Sequence, residues 1–303
     1  MMAESGVAYS QLSRCNLEPF VITTEALDRD EVQGVLALPV SPNGLGVLIL
    51  TGSSGRVDTE LAETFARLGA SALALRWWGG RGQPPGINEV PLETIVLGVD
   101  ELRAHGCTRI AVHGTSFGAL AALLTAVRDE RIDTVIAVSP ASVVWQNSGP
   151  GLDRSEWPPR SAFSWRGSPL PCVMFDPRKW PPAGTVSPRY RGLYEASLET
   201  FAEDAQAAAI PIELSRAEYI FVAGGDDALW PSDAAAHALA ARLRNCGRGA
   251  IVIEHPGAGH SPVYPSEAPR PAPAERAWGG SPEADSALGA VAWGAIIEHL
   301  GLT

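Results

Sequence analysis

The sequence predicts the α/β class: a mostly parallel sheet with helices on both faces and a cap insertion. Three observations carry this. Short β-rich runs alternate with segments of helical periodicity through the first half of the chain, the rhythm a parallel sheet needs because each crossover is made by a helix. One run, Leu45–Leu50 (LGVLIL), is continuously apolar, as a strand buried on both faces should be. After a long irregular stretch the alternation resumes and ends in a helical segment.

In order, residues 20–24 and 32–38 read as short strands, followed by Leu45–Leu50 and a Gly/Ser loop over 51–55. Leu61, Phe65 and Leu68 recur at helical spacing, with Gly69 as the stop. Ser71–Leu75 is a further strand; Leu92, Ile95, Val96, Val99 and Leu102 then form the buried stripe of a helix. A strand over 109–112, a helix over 118–127 and a strand at Thr134–Val138 follow. The rhythm returns with a strand at 219–223, a helix over 232–244, a strand at 250–254 and a last helix over 283–300. The right-handed crossover rule leaves few topologies for such a series.

Two stretches break the rhythm. Residues 141–197 are rich in Pro, Gly and Arg and hold Trp145, Trp157, Trp165 and Trp180, four of the nine tryptophans. A structureless loop of that length is improbable in a compact domain unless it is functional, so it reads as a cap over the strand ends. Residues 261–280, with five prolines, form a second irregular insertion. The whole of 1–303 reads as one domain carrying both.

Apolar residues make up 46% and charged residues 19% of the 303, an ordinary globular composition that excludes disorder or a coiled coil for most of the chain. The net charge of −11 argues against nucleic acid or an anionic membrane as partner, since both call for a basic footprint. Cys15, Cys107, Cys172 and Cys246 form no C-x-x-C pair, so zinc ribbons and dithiol redox motifs lack support and reduced thiols are expected. Neither a signal-peptide pattern nor an apolar run of membrane-spanning length is seen, and a cytoplasmic location is expected. No metal or other cofactor is called for.

The sharpest signal is Gly114-Thr115-Ser116-Phe117-Gly118, a G-x-S-x-G sequence between a predicted strand and a predicted helix. The pattern puts a serine on a tight, strained turn, exposes its hydroxyl at the end of the sheet, and sets the Phe117 amide at a helix N-terminus where it can hold an oxyanion. A bland Gly-rich turn with an inert serine is the competing reading. A nucleophilic serine needs a base. Of His105, His113, His237, His255, His260 and His299, the best placed is His260, in the loop after the last predicted strand, with His255 the alternative. The acid should follow the strand at 219–223, where Asp226 and Asp227 adjoin; Gly224 three before and Pro231 four after select Asp227, with Asp226 the alternative. Such a carboxylate would fix the histidine tautomer and stabilise the imidazolium. The competing role for either aspartate is to build the turn or cap the next helix. Ser53 or Ser54, in the loop after Leu45–Leu50, would supply the second oxyanion amide. Arg56 in that loop, with Trp77, Trp145 and Trp230, are the candidate substrate contacts.

With these residues in view, the sequence resembles the C-terminal catalytic domain of the acyl-CoA thioesterase and bile acid-CoA:amino acid N-acyltransferase family, within the dienelactone hydrolase-like α/β-hydrolases. The matching segments are LTGSSG at 50–55, ELAETFARLGASALALRWWG at 60–79, PLETIVLGVDEL, HGTSFGALAAL, VAGGDDALWPS, HPGAGH and the AWGG tail with its last helix. The resemblance implies the α/β-hydrolase fold and a Ser116, Asp227, His260 triad. Eukaryotic members carry an N-terminal β-sandwich domain, and with only about forty residues before the first core strand no such domain is expected in this sequence. The N-acyltransferase branch uses a cysteine nucleophile where this chain has Ser116, as in the thioesterase branch.

Three functions follow. The first is a serine hydrolase cleaving an acyl thioester, on coenzyme A or an acyl carrier protein, or an ester. The second is an acyltransferase passing the Ser116-bound acyl group to an amine or alcohol. The third is a binding module on a hydrolase scaffold, disfavoured because every triad position is filled. The 141–197 cap is expected to pack over Ser116 and set acyl specificity.

Overall fold

Eight strands form one sheet in the computed structural model, which describes residues 21–302 apart from 31, 266, 270 and 273. In chain order they are β1 (Ile22–Asp28), β2 (Gln33–Pro39), β3 (Leu45–Leu50), β4 (Ser71–Leu75), β5 (Arg109–Thr115), β6 (Thr134–Val138), β7 (Glu218–Gly224) and β8 (Ile251–His255). Their spatial order is β1-β2-β4-β3-β5-β6-β7-β8. β1 and β2 pair antiparallel, as do β2 and β4; every other pairing in the sheet is parallel. This is the α/β-hydrolase architecture. The β1–β2 hairpin extends the first expected strand to Asp28, because a mostly exposed edge strand tolerates the polar residues Thr23, Thr24, Glu25 and Asp28.

The helices are α1 (Thr59–Arg67), α2 (Glu93–Ala104), α3 (Phe117–Ala126), α4 (Arg191–Thr200), α5 (Ala202–Ala207), α6 (Ser232–Asn245) and α7 (Pro282–Leu300); α1 and α7 cover one face of the sheet and α2, α3 and α6 the other. Among the described residues no helix is long and apolar enough to cross a membrane. Successive strand residues point to opposite faces, so β3 divides its side chains. Leu48 and Leu50 join the core beneath α2, α3 and α6, whereas Leu45, Val47 and Ile49 join the core beneath α1 and α7. Leu68, expected on the buried stripe of α1, is the C-cap residue and is 37% exposed. The helix stops one residue short of it, and Gly69 turns the chain at φ 91°.

The 141–197 excursion is more ordered than a bare cap. Phe163–Trp165 pairs parallel with Val90–Pro91 and antiparallel with Ser168–Pro169. The segment runs into α4 and α5, helices the apolar pattern does not foretell. Its large side chains Val143, Trp145, Phe163 and Val173 belong to the core on the α2 and α3 face.

Candidate active site

β5 delivers Ser116 onto a sharp turn into α3. Its φ of 58° lies in the left-handed region that non-glycine residues rarely occupy. The turn is held by the Ser116 amide donating to the Val138 carbonyl at 2.9 Å. The flanking glycines are required by space. A Cβ on Gly114 would lie 2.2 Å from the Gly118 carbonyl oxygen, and one on Gly118 would lie 2.2 Å from that of Leu50. Gly52 sits as close on the other side: its Cβ would be 2.9 Å from that of Ser116. Chain crossings this tight exclude any side chain at those positions and hold the serine where the sheet ends.

Asp227 follows β7 and is completely buried. Its Oδ1 accepts from the amides of Leu229 at 2.9 Å and Trp230 at 3.2 Å; its Oδ2 accepts from Ser232 Oγ at 2.6 Å and pairs with His260 Nδ1 at 2.8 Å. A buried carboxylate survives only with its lone pairs satisfied, and here four partners do so. His260, also buried, is fixed through its backbone as well: its amide donates to Trp278 O at 2.8 Å and its carbonyl accepts from Ser139 Oγ at 2.8 Å. The Trp230 ring stands edge-on to the imidazole at 5.6 Å and leans on Phe117 at 5.4 Å. Asp226 is turned away. It pairs with Arg189 at 2.8 Å and accepts from the Gly280 amide at 2.9 Å, and these contacts lower its pKa. His255 Nδ1 accepts from the Gly257 amide at 3.2 Å, a turn contact in the loop after β8.

Ser116 and His260 face one cavity of about 420 Å³, within the usual range for small-molecule sites. Among the described residues no hydrogen bond joins Ser116 Oγ to His260; in ligand-free enzymes such bonds are often long. The amides of Phe117, Ser53 and Ser54 likewise donate to no described residue, and Ser53 and Ser54 line the cavity. Arg56 is on the wall, tied to Asp58 at 2.7 Å.

The rest of the wall departs from the sequence-based expectation. No residue of 141–197 lines this cavity; Ser261, Pro262, Tyr264, Glu267, Pro271, Arg276 and Trp278 of the second insertion do. Trp77, Trp145 and Trp230 are core residues. Trp77 stacks on Phe163 at 5.8 Å and donates to Thr51 O at 3.0 Å. Trp145 stands edge-on to Tyr194 at 4.7 Å. Trp230 backs His260 from behind. A tryptophan's large apolar area serves a core as well as a pocket, and composition alone does not separate the two uses. Sequence reasoning missed Tyr264 and Arg276; the latter donates from Nη1 to Ser53 Oγ at 3.4 Å. Their one signal is position in the segment that follows His260, Tyr264 near its start and Arg276 near its end. Among the described residues no cluster of His, Cys, Asp and Glu is arranged to hold a metal ion.

The family model described as "BAAT / Acyl-CoA thioester hydrolase C terminal" matches residues 101–301, about two thirds of the chain. A curated relative, the mouse (Mus musculus) bile acid-CoA:amino acid N-acyltransferase, is 25% identical over 237 residues, covering 76% of this chain and 51% of that protein. The chain thus spans about half the length of the curated relative it matches. Among solved structures, a Klebsiella pneumoniae protein assigned as a dienelactone hydrolase aligns with a TM-score of 0.54 at 13% identity, over 92% of this chain and 98% of that one. A dienelactone hydrolase-like promiscuous phosphotriesterase from metagenomic libraries aligns with a TM-score of 0.52 at 17% identity, over the same shares of the two chains. These likenesses are of fold.

Proposed function

The chain belongs to the BAAT / acyl-CoA thioester hydrolase C-terminal family, and from that premise we propose that it is a serine hydrolase of acyl thioesters or esters, working through Ser116, His260 and Asp227. The observation that carries the reading is the buried His260–Asp227 pair at 2.8 Å on the cavity that Ser116 also faces. Ser116 Oγ attacks the acyl carbonyl while His260 Nε2 takes its proton. Asp227, bonded to Nδ1, keeps Nε2 free to act as base and stabilises the imidazolium. The oxyanion is held by the Phe117 amide and by that of Ser53 or Ser54. His260 then protonates the leaving thiolate or alkoxide. Water, deprotonated by the same histidine, cleaves the acyl-enzyme and returns Ser116. Arg56 and Arg276 put two guanidinium groups on the wall, which suits an anionic portion of the substrate such as the phosphates of a coenzyme A leaving group.

A second reading, transfer of the acyl group to an amine, is favoured by the N-acyltransferase name of the mouse relative. Product analysis with and without amine acceptors separates the two. The nucleophile is tested by Ser116→Ala, which should lower thioester hydrolysis by about 10⁴–10⁶ and abolish labelling by a fluorophosphonate. Retention of more than about a tenth of the activity, against the loss expected of a triad serine, overturns the serine mechanism.

A further inference from the structure

The wall of the same cavity contains a buried polar pair that the proposed chemistry does not use. His113 lies in β5, in register with Ile49 of β3 and Ile136 of β6, so its side chain falls on the apolar row facing α1 and α7. Its Nε2 is 2.7 Å from the hydroxyl of Tyr264, and both residues line the cavity. They are 2% and 4% exposed. The tyrosine is firmly placed. Its amide donates to Glu267 Oε2 at 3.1 Å, its carbonyl accepts from the Glu267 amide at 2.9 Å, and its ring packs on Trp293 at 5.1 Å. The preceding residue lies flush on α7: a Cβ on Gly289 would be 1.8 Å from the Val263 carbonyl oxygen.

The pair has one proton more than it can use. His113 Nδ1 is buried with no partner beyond the backbone of its own residue, and burial lowers the pKa of His113 to about 4, so the ring is neutral near pH 7. If Tyr264 donated to Nε2, the imidazole proton would sit on Nδ1 with only that cramped bond within its own residue to satisfy it, a poor geometry for a buried N–H. With the proton on Nε2 the histidine donates to the phenol oxygen, and Nδ1 is a bare lone pair, the cheaper defect. The phenol O–H is then free, and no described residue accepts from it. Burial and the neighbouring Glu267 raise the Tyr264 pKa well above its ordinary value, so the donor keeps its proton.

We propose that the Tyr264 hydroxyl, oriented by His113, is a specificity-determining donor aimed into the Ser116 cavity, and that the acyl group it admits carries a neutral oxygen acceptor, a hydroxyl or oxo group, away from the scissile carbonyl. This rests on the acyl-transfer reading of Ser116. The phenol is itself uncharged, so a neutral oxygen matches it. A plain alkanoyl chain would bury the phenol O–H unpaired, and a site built to bond a substrate oxygen discriminates against analogues that lack it.

The test measures binding of N-acetylcysteamine thioesters to Ser116→Ala, which removes the proposed nucleophile. The series is hexanoyl and its hydroxyl- or oxo-bearing counterparts, substituted at successive carbons. At least one oxygenated member should bind about tenfold more tightly than hexanoyl, the value of one neutral hydrogen bond. Adding Tyr264→Phe should erase that preference by weakening the oxygenated members without weakening hexanoyl, and should lower the melting temperature modestly, because it leaves the buried His113 Nε2–H unpaired, with the fold retained by circular dichroism. Equal binding of plain and oxygenated chains, an equal loss for both on Tyr264→Phe, or no measurable binding of any oxygenated member overturns the proposal. If the preference is found but wild-type protein cleaves none of the thioesters, the donor stands and the hydrolase reading falls. If wild-type protein cleaves hexanoyl and oxygenated thioesters alike and Ser116→Ala binds them alike, the reverse holds.

Discussion

The two irregular excursions, 141–197 and 261–280, look alike as sequence and do different work. Both are rich in proline and interrupt the strand–helix alternation. The first is larger and carries four tryptophans, yet it contributes nothing to the wall of the Ser116 cavity; the second supplies seven residues of it. The first instead extends the core. Trp180, Phe175, Trp145 and Tyr194 run as a chain of ring contacts at 4.7–5.7 Å that ends on Trp230, itself against His260. One excursion therefore supports the histidine from behind, and the other shapes what lies in front of it. Aromatic richness here marks where a segment buries surface; adjacency to His260 marks where a segment lines the cavity.

That contrast can be broken at several points. The largest effect should come from the loop after β7, which serves both the proposed catalysis and the second excursion through adjacent residues. Asp227→Asn should lower turnover by about 10⁴ by spoiling the His260 tautomer. Asp226→Asn, which weakens the anchor to Gly280 and the ion pair with Arg189, should cost far less; a reversed ranking in steady-state kinetics would reassign the acid. Next, Trp145→Ala should destabilise the fold by about 3–5 kcal/mol in denaturant unfolding, as a large ring removed from a core does, with kcat/KM retained below the transition. Intact stability with altered substrate preference would put the first excursion in the substrate site after all.

Acid titration probes the wall made by β5 and the second excursion. The folded-state pKa of His113, about 4, lies below its ordinary 6.5 because of burial. Over that interval the unfolded chain binds a proton that the folded chain does not, so stability falls as the pH is lowered from 6.5 towards 4. The loss is on the order of 3 kcal/mol. His113→Gln should flatten this part of the stability profile relative to wild type; parallel profiles would mean that the histidine titrates normally. The smallest effect belongs to Trp157, 77% exposed in the first excursion. Trp157→Ser should shift stability by no more than about 0.5 kcal/mol, and a larger loss would show that this part of the excursion is also core.

Much of this was legible in the chain because it is local. β3, β4 and β6 have the bounds their apolar runs predict, since a strand buried on both faces leaves an unbroken hydrophobic signature. The turn at Ser116 is legible because Gly114 and Gly118 are imposed by backbone atoms within a few residues or on the next strand. The choice of Asp227 over Asp226 is written in its spacing to Gly224 and Pro231, and the structure brings Asp227, not Asp226, to His260. α4 and α5 escaped notice because they are short and follow a stretch without period.

What only the tertiary structure decided is which side of the sheet each excursion occupies. The pairing of Phe163–Trp165 with Val90–Pro91 draws the first towards α2 and α3. The seat that Gly289 offers to Val263, with the Val263 amide donating to Asp285 O at 3.1 Å, holds the second against α7 and turns Tyr264 onto His113. Neither partner is adjacent in sequence, and a proline-rich segment has no hydrophobic period from which its direction could be read. Such a segment is positioned by a few contacts with distant residues. The sequence alone could therefore name a serine, a histidine and an aspartate, while the walls of the cavity around them depended on the folded chain.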